Sequence, residues 1–95
     1  MNNNISLNEQ LQKAGVVKRL PHNTQDAWIR NNEPGLLYPR QARVVPVLMQ
    51  NDSFKWVCID ETGWDGFERI PNQLVGVFDT EEKAWEKAEE VISEN

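Results

Sequence analysis

The chain is poor in the residues from which covalent cross-links and transition-metal sites are assembled. It holds one cysteine, Cys58, and one histidine, His22. A single cysteine excludes an internal disulfide and a multi-cysteine metal site, and a single histidine leaves the usual zinc ligand sets incomplete. Long apolar runs are also missing. Stretches such as VPVLM fall far short of the roughly 18 residues that span a bilayer, and the polar MNNN start lacks the charged and apolar regions of a signal peptide. A cytoplasmic protein with no membrane contact is expected. No cofactor signature occurs, so no cofactor is expected.

What is present describes a small folded domain. Ninety-five residues suffice for one modest core, and a single domain spanning 1–95 is expected. Hydrophobic residues make up 39% and charged residues 26%, with four tryptophans, a composition too apolar and aromatic for a disordered chain. The net charge of −5 conceals an asymmetry: residues 1–50 carry six basic and three acidic side chains, residues 51–95 four basic and twelve acidic. An electrostatic partner must therefore meet one end of the sequence or the other.

Local patterns give an α+β reading. SLNEQLQKAG is a short helix, with Ser6 as cap, Glu9 at the capping-box position and Gly15 as a left-handed stop. TQDAWIRNN is expected as a second short helix ended by Pro34-Gly35, making residues 1–35 a helical part. EPGLLYPRQA reads as a linker. Residues 43–95 then supply a sheet and a closing helix. ARVVPVLMQ is strand-like, with Pro46 arguing for an edge position, and FKWVCIDE pairs with it across the Asn51-Asp52-Ser53 turn. QLVGVFD is a third strand, in which Gly76 marks a bulge or a close approach. In DTEEKAWEKAEEVISEN, capped by Asp79, an apolar stripe of Ala84, Trp85, Ala88, Val91 and Ile92 should lie on the sheet. The expected architecture is a small, mainly antiparallel sheet of three or four strands, with that helix packed on it and one or two short N-terminal helices.

DETGWDGFERIPN, residues 60–72, gathers Asp60, Glu61, Asp65 and Glu68 around two glycines and two large aromatics. A catalytic carboxylate pair needs surroundings that split its pKa values, and Arg69 alone makes no anionic-substrate site. A calcium loop needs glycine at its sixth position, where counting from Asp60 places Asp65. A Cys58–His22 nucleophile and base pair is opposed by the place of Cys58 in an apolar strand, where a small hydrophobe is expected. No catalytic or metal residue is assigned, and an enzyme is not expected. Trp64 and Phe67, with Asp65, remain as candidate partner-binding residues on a strand connection. Alternatively the rings fold back under the closing helix.

Two resemblances bear on function. The segments LQKAG, VVKRL and TQDAWIRNN lie in the basic half, and AWIRNNEP resembles the end of a recognition helix in small phage repressors of the helix-turn-helix type. That resemblance implies DNA contacts through Lys18, Arg19 and Arg30, although Asp26 and Glu33 would repel phosphate, so direct nucleic-acid binding is the second choice. The run QLVGVFDTEEKAWEKAEEVI is similar to the closing strand and helix of small phage and mobile-element accessory proteins. Small size and acidity also resemble anti-restriction and anti-CRISPR inhibitors. The implied function is a non-enzymatic inhibitor that binds a basic or nucleic-acid-binding protein, as a monomer or homodimer. Its contacts would be the Trp64/Phe67 loop and the carboxylate ridge of Glu82, Glu86, Glu89 and Glu90.

Overall fold

The computed structural model describes residues 5–22, 28–31, 38–64 and 66–93. In chain order these form α1 (Leu7–Lys13), β1 (Val16–Arg19), β2 (Trp28–Asn31), β3 (Arg40–Met49), β4 (Phe54–Asp60), β5 (Gln73–Phe78) and α2 (Glu81–Ser93). The fold is α+β, as expected. All pairings are antiparallel, and five strands occupy four positions in the order β1-β3-β4-β5, with β2 also paired to β3. β1 meets Val47–Met49 and β2 meets Arg40–Arg43, while β4 occupies the opposite edge of β3.

Pro46 explains why that first position is divided. A strand residue's N–H and C=O point to the same side in an antiparallel ladder. The Pro46 carbonyl accepts from the Leu20 N–H at 2.9 Å, so the N–H that proline lacks would also have faced β1. The ladder ends there, and the edge is taken up again at Arg43 by β2. Proline thus sits in an interior strand, and the expected edge position of Pro46 is corrected.

The second helix is corrected as well. Trp28–Asn31 is a strand, because the exposed half of β3 demands a hydrogen-bonding partner and four ladder pairs outweigh weak local helix preference. Residues 23–27 and 32–37 of that segment and of the expected linker lie outside the described residues. Val16–Arg19 is also strand, so the N-terminal part contributes two strands and one helix, and the sheet reaches well before residue 43. The expected linker likewise overlaps the sheet, since Arg40–Ala42 belong to β3.

The other elements follow their local chemistry. Ser6 caps α1, its Oγ accepting from the Glu9 N–H at 3.2 Å, and Gly15 follows with φ +91°. The β3–β4 hairpin closes through Met49 N–H to Ser53 O at 2.9 Å, with Asp52 at φ 66°. Thr80, rather than Asp79, caps α2: its Oγ1 accepts from the Lys83 N–H at 3.2 Å. Asp79 instead pairs with Lys55, whose hydrogen bond holds the carboxyl below its ordinary range.

Strand alternation splits the core into two layers. On one face α1 and β1 bring Leu11 and Val16 onto Val45, Val47, Val57 and Ile59. On the other, Ala84, Ala88 and Val91 of α2 cover Ala42, Val44 and Cys58, with Trp56, Phe78, Trp85 and Ile92 packed around them. The two alanines let the helix approach the sheet closely. Each buried valine or isoleucine contributes about 1.5–3 kcal/mol. Val75 is the extra residue of a bulge, since Cys58 pairs with Gly76 and Ile59 with Leu74. The Phe78 ring lies over Gly76, only 2.5 Å from where a Cβ would stand. Bulge and close approach therefore fall on neighbouring residues, Val75 and Gly76.

Candidate functional site

The connection between β4 and β5 is held at its base by its own polar residues. Asp60 Oδ1 accepts from the Thr62 N–H at 2.9 Å, an Asx turn that ends β4. The Glu61 N–H donates to Gln41 O at 2.9 Å, and its carboxylate takes the Arg43 Nε–H at 2.8 Å. Thr62 Oγ1 accepts from the Gln41 N–H at 3.1 Å. Of the four carboxylates that single out this stretch, Glu61 therefore fastens the loop to β3 and Asp60 turns the chain at its base. Glu68 is exposed, and Asp65 lies outside the described residues.

Above this base the chain makes a small hairpin. Trp64 and Arg69 form a bridge, and the Ile70 N–H donates to Gly63 O at 3.2 Å. Gly63 at φ +71° and Gly66 at φ +99° provide left-handed backbone that a side chain would strain. The Tyr38 ring comes within 3.8 Å of the position a Cβ on Gly66 would take. The result is an aromatic tip, with Trp64 37% exposed and Phe67 89% exposed. Neither ring folds back under α2.

Tyr38, Pro39, Gln41, Thr62 and Trp64 line a shallow cleft of about 370 Å³ beneath the tip. The Arg40 guanidinium lies 5.9 Å from the Tyr38 ring centroid, and its Nε–H donates to Val91 O at 2.9 Å. Arg40 thereby joins the last turn of α2 to the aromatic cleft. Tyr38 and Arg40 belong to a segment read as linker. Their only sequence signal was an aromatic and a cation flanking Pro39, which acquires meaning once Val91 is adjacent.

The carboxylate ridge is where the helical spacing puts it. Glu82, Glu86, Glu89 and Glu90 are all exposed on the side of α2 away from the sheet, with Lys87 bonded to Glu90 at 3.3 Å. Glu89 and Glu90 directly precede Val91, so the C-terminal part of the ridge lies at the end of the molecule that carries the aromatic tip. Of the basic candidates, Lys18 pairs with Leu48 and Arg19 with Val47, which puts their side chains on opposite faces of the sheet. Arg30 lies in β2, opposite Gln41. These three cations do not form one DNA-facing surface on a recognition helix, because no helix is present at Trp28–Asn31.

Cys58 is fully buried beneath α2, and burial pushes its thiol up to about 12, with nearby Asp60 adding to the rise. It is a core residue and no nucleophile at neutral pH. The His22 ring meets Trp56 edge to face at 5.3 Å, with Nε2 3.9 Å from Glu81 Oε2. Glu81 Oε2 also accepts from Trp85 Nε1 at 3.0 Å, so His22 belongs to the packing around the start of α2. Among the described residues, no three His, Cys, Asp or Glu side chains gather as a metal-ligand set. No described helix is long and apolar enough to cross a membrane. No protein-family model matches the chain, and neither a curated protein nor a solved structure matches it significantly.

Proposed function

We propose that this protein works by binding another protein, without catalysing a reaction. The Trp64–Phe67 tip is the apolar anchor, and Glu82, Glu86, Glu89 and Glu90 form a charged rim that selects a basic partner. One observation carries this: a phenyl ring 89% exposed at the tip of a loop whose base is fastened by five hydrogen-bonded residues, Asp60, Glu61, Thr62, Gln41 and Arg43. An aromatic side chain presented on an ordered support loses little conformational entropy on binding, which is the property of interface hot spots. The ridge adds complementarity toward arginine-rich or lysine-rich surfaces.

Within that class, the acidic charge and the similarity of QLVGVFDTEEKAWEKAEEVI to phage and mobile-element accessory proteins favour one role. The protein is an inhibitor of a host nucleic-acid-processing or defence complex, of the anti-CRISPR or anti-restriction type, acting in the cytoplasm. Affinity capture from host lysate tests it, with the wild-type chain compared against Trp64→Ala/Phe67→Ala and against glutamine at all four ridge positions. Loss of the captured protein with the aromatic variant, and a salt-dependent weakening with the glutamine variant, are expected. Undiminished capture by both variants rejects the assignment.

A further inference from the structure

The face of the sheet that carries α1 is only partly covered. Beyond Leu7 lies a cleft of about 570 Å³, bordered by Arg19, Arg43, Val45, Glu61 and Asn72. The register puts the two arginines on one face. Arg19 stands opposite Val47, while Arg43, Val45 and Val47 alternate onto the same side of β3, so Val45 forms a floor between them. With four strand steps and one inter-strand step between them, their Cα atoms are ~14 Å apart, and both residues line the one cleft.

Charge makes this cleft unlike the rest of the molecule. The chain carries −5 overall, and its densest acidic surface is on α2, across the sheet. Here two guanidinium groups and the His22 imidazole line the cleft with one carboxylate. That carboxylate, Glu61, is already engaged with Arg43 Nε at 2.8 Å and is only 13% exposed at its side chain. It orients the Arg43 fork, leaving the terminal N–H groups to meet a second acceptor. Leu7 and Val45 provide apolar wall and floor.

We propose that the cleft binds a small organic anion with an apolar body. Its oxyanion head, a phosphate monoester or a carboxylate, lies between Arg19 and Arg43, and its body rests on Val45 beneath Leu7. Guanidinium forks match both heads with paired, charge-assisted hydrogen bonds. The volume falls in the range that small-ligand pockets occupy. Glu61 has two opposed effects: it fixes Arg43 in place, and its negative charge weakens the hold on the incoming anion.

The two effects give the test its discriminating sign. The purified protein is titrated with hexyl phosphate, hexanoate and inorganic phosphate while amide and arginine side-chain NMR signals are followed. Saturable shifts centred on Leu7, Arg19, Arg43 and Val45 are expected with at least one hexyl probe, and the tighter of the two identifies the head group. Arg19→Gln, at an exposed position that carries no core contact, should weaken binding about tenfold. Glu61→Gln, which keeps a hydrogen-bond acceptor for Arg43, should strengthen it, whereas general damage to the fold would weaken both. Phe67→Ala should leave the titration unchanged, which separates this site from the protein-binding tip. Three results overturn the proposal: no saturable shift with either hexyl probe, a response that Arg19→Gln leaves intact, or inorganic phosphate binding as tightly as hexyl phosphate.

Discussion

Arg40, at the first position of β3, donates to the carbonyl of Val91 in the last turn of α2, fifty-one residues further along the chain. That last turn has no basic residue of its own. The sheet therefore supplies the cation that the negative end of the helix dipole favours, and Asn31 adds a second donor, its Nδ2 reaching Ile92 O at 2.7 Å. Replacing Arg40 with alanine removes the cap and the contact with Tyr38. A loss of about 1–2 kcal/mol in urea unfolding is expected. A midpoint unchanged from wild type would mean that α2 ends independently of β3.

Gly76 permits no side chain while Phe78 keeps its place. A methyl group there would stand 2.5 Å from the Phe78 ring, so Gly76→Ala must displace that ring from the α2 layer. A destabilisation of about 1–3 kcal/mol is expected, as for other overpacked sites. Combining it with Phe78→Leu should recover part of that loss, because the shorter side chain vacates the position. A strictly additive double variant would show that the clash is not the cause.

Thr80 and Asp79 are neighbours with different duties. Thr80→Ala removes the N-cap of α2 and should cost about 1 kcal/mol. Asp79→Ala should have a smaller effect, because its partner Lys55 is an exposed ion-pair contact that water readily replaces. Thermal melts of the two variants in matched buffer provide the ranking, and the reverse order would return the cap to Asp79.

The Cys58 thiol is held neutral by burial, with its pKa raised from an ordinary 9.0 to about 12. Above pH 9 the unfolded chain loses this proton while the folded chain keeps it. The unfolded state then binds fewer protons, and stability falls as pH rises from about 9 toward 12. Urea midpoints measured at alkaline pH should decline more steeply for wild type than for Cys58→Ala. Parallel profiles would show that Cys58 ionises as easily folded as unfolded. At neutral pH, alkylation of the thiol should require opening of the α2 layer.

Phe67 and Trp85 separate the two uses of aromatic residues in this chain. Trp85→Ala empties a half-buried site against α2's own layer and breaks the bond to Glu81, so a loss of at least about 2 kcal/mol is expected. Phe67→Ala touches a side chain almost wholly in solvent and should change stability by no more than about 0.5 kcal/mol. Comparable losses from both would place Phe67 among the packing residues.

Much of the fold was legible because its signals are local. Ser6, Gly15, the Asn51-Asp52-Ser53 turn, β-branched strands and the Ala84–Ile92 stripe each state their role within a few residues. β2 was not legible, since nothing within Trp28–Asn31 announces that half of β3 lacks a neighbour; that need is created by Pro46, eighteen residues beyond Trp28. The same non-locality hid the functional geometry. Spacing along α2 placed the glutamate ridge, but the exposure of Trp64 and Phe67 depended on whether α2 could fill its own layer. Arg19 and Arg43 share a cleft through strand register, a relation that sequence distance conceals.

The break in the ladder at Pro46 also divides the molecule by mechanical independence. α1 and β1 meet the rest through a three-pair ladder ending at Arg19, the Leu20 bond, the bonds from Gln50 N–H to Gly15 O and from Leu74 N–H to Gln10 Oε1, and the packing of Leu11 and Val16 onto Val45, Val47, Val57 and Ile59. β2, β3, β4, β5 and α2 hold one another through contacts in which α1 and β1 take no part. Residues 5–20 are therefore the segment whose release would uncover Val45, Val47, Val57 and Ile59 while the β3-β4-β5 ladder and the α2 layer keep their own contacts. The amides of that segment, from Leu11 to Leu20, should exchange with solvent deuterium sooner than those of Val57–Ile59, giving the domain two tiers of protection within one sheet.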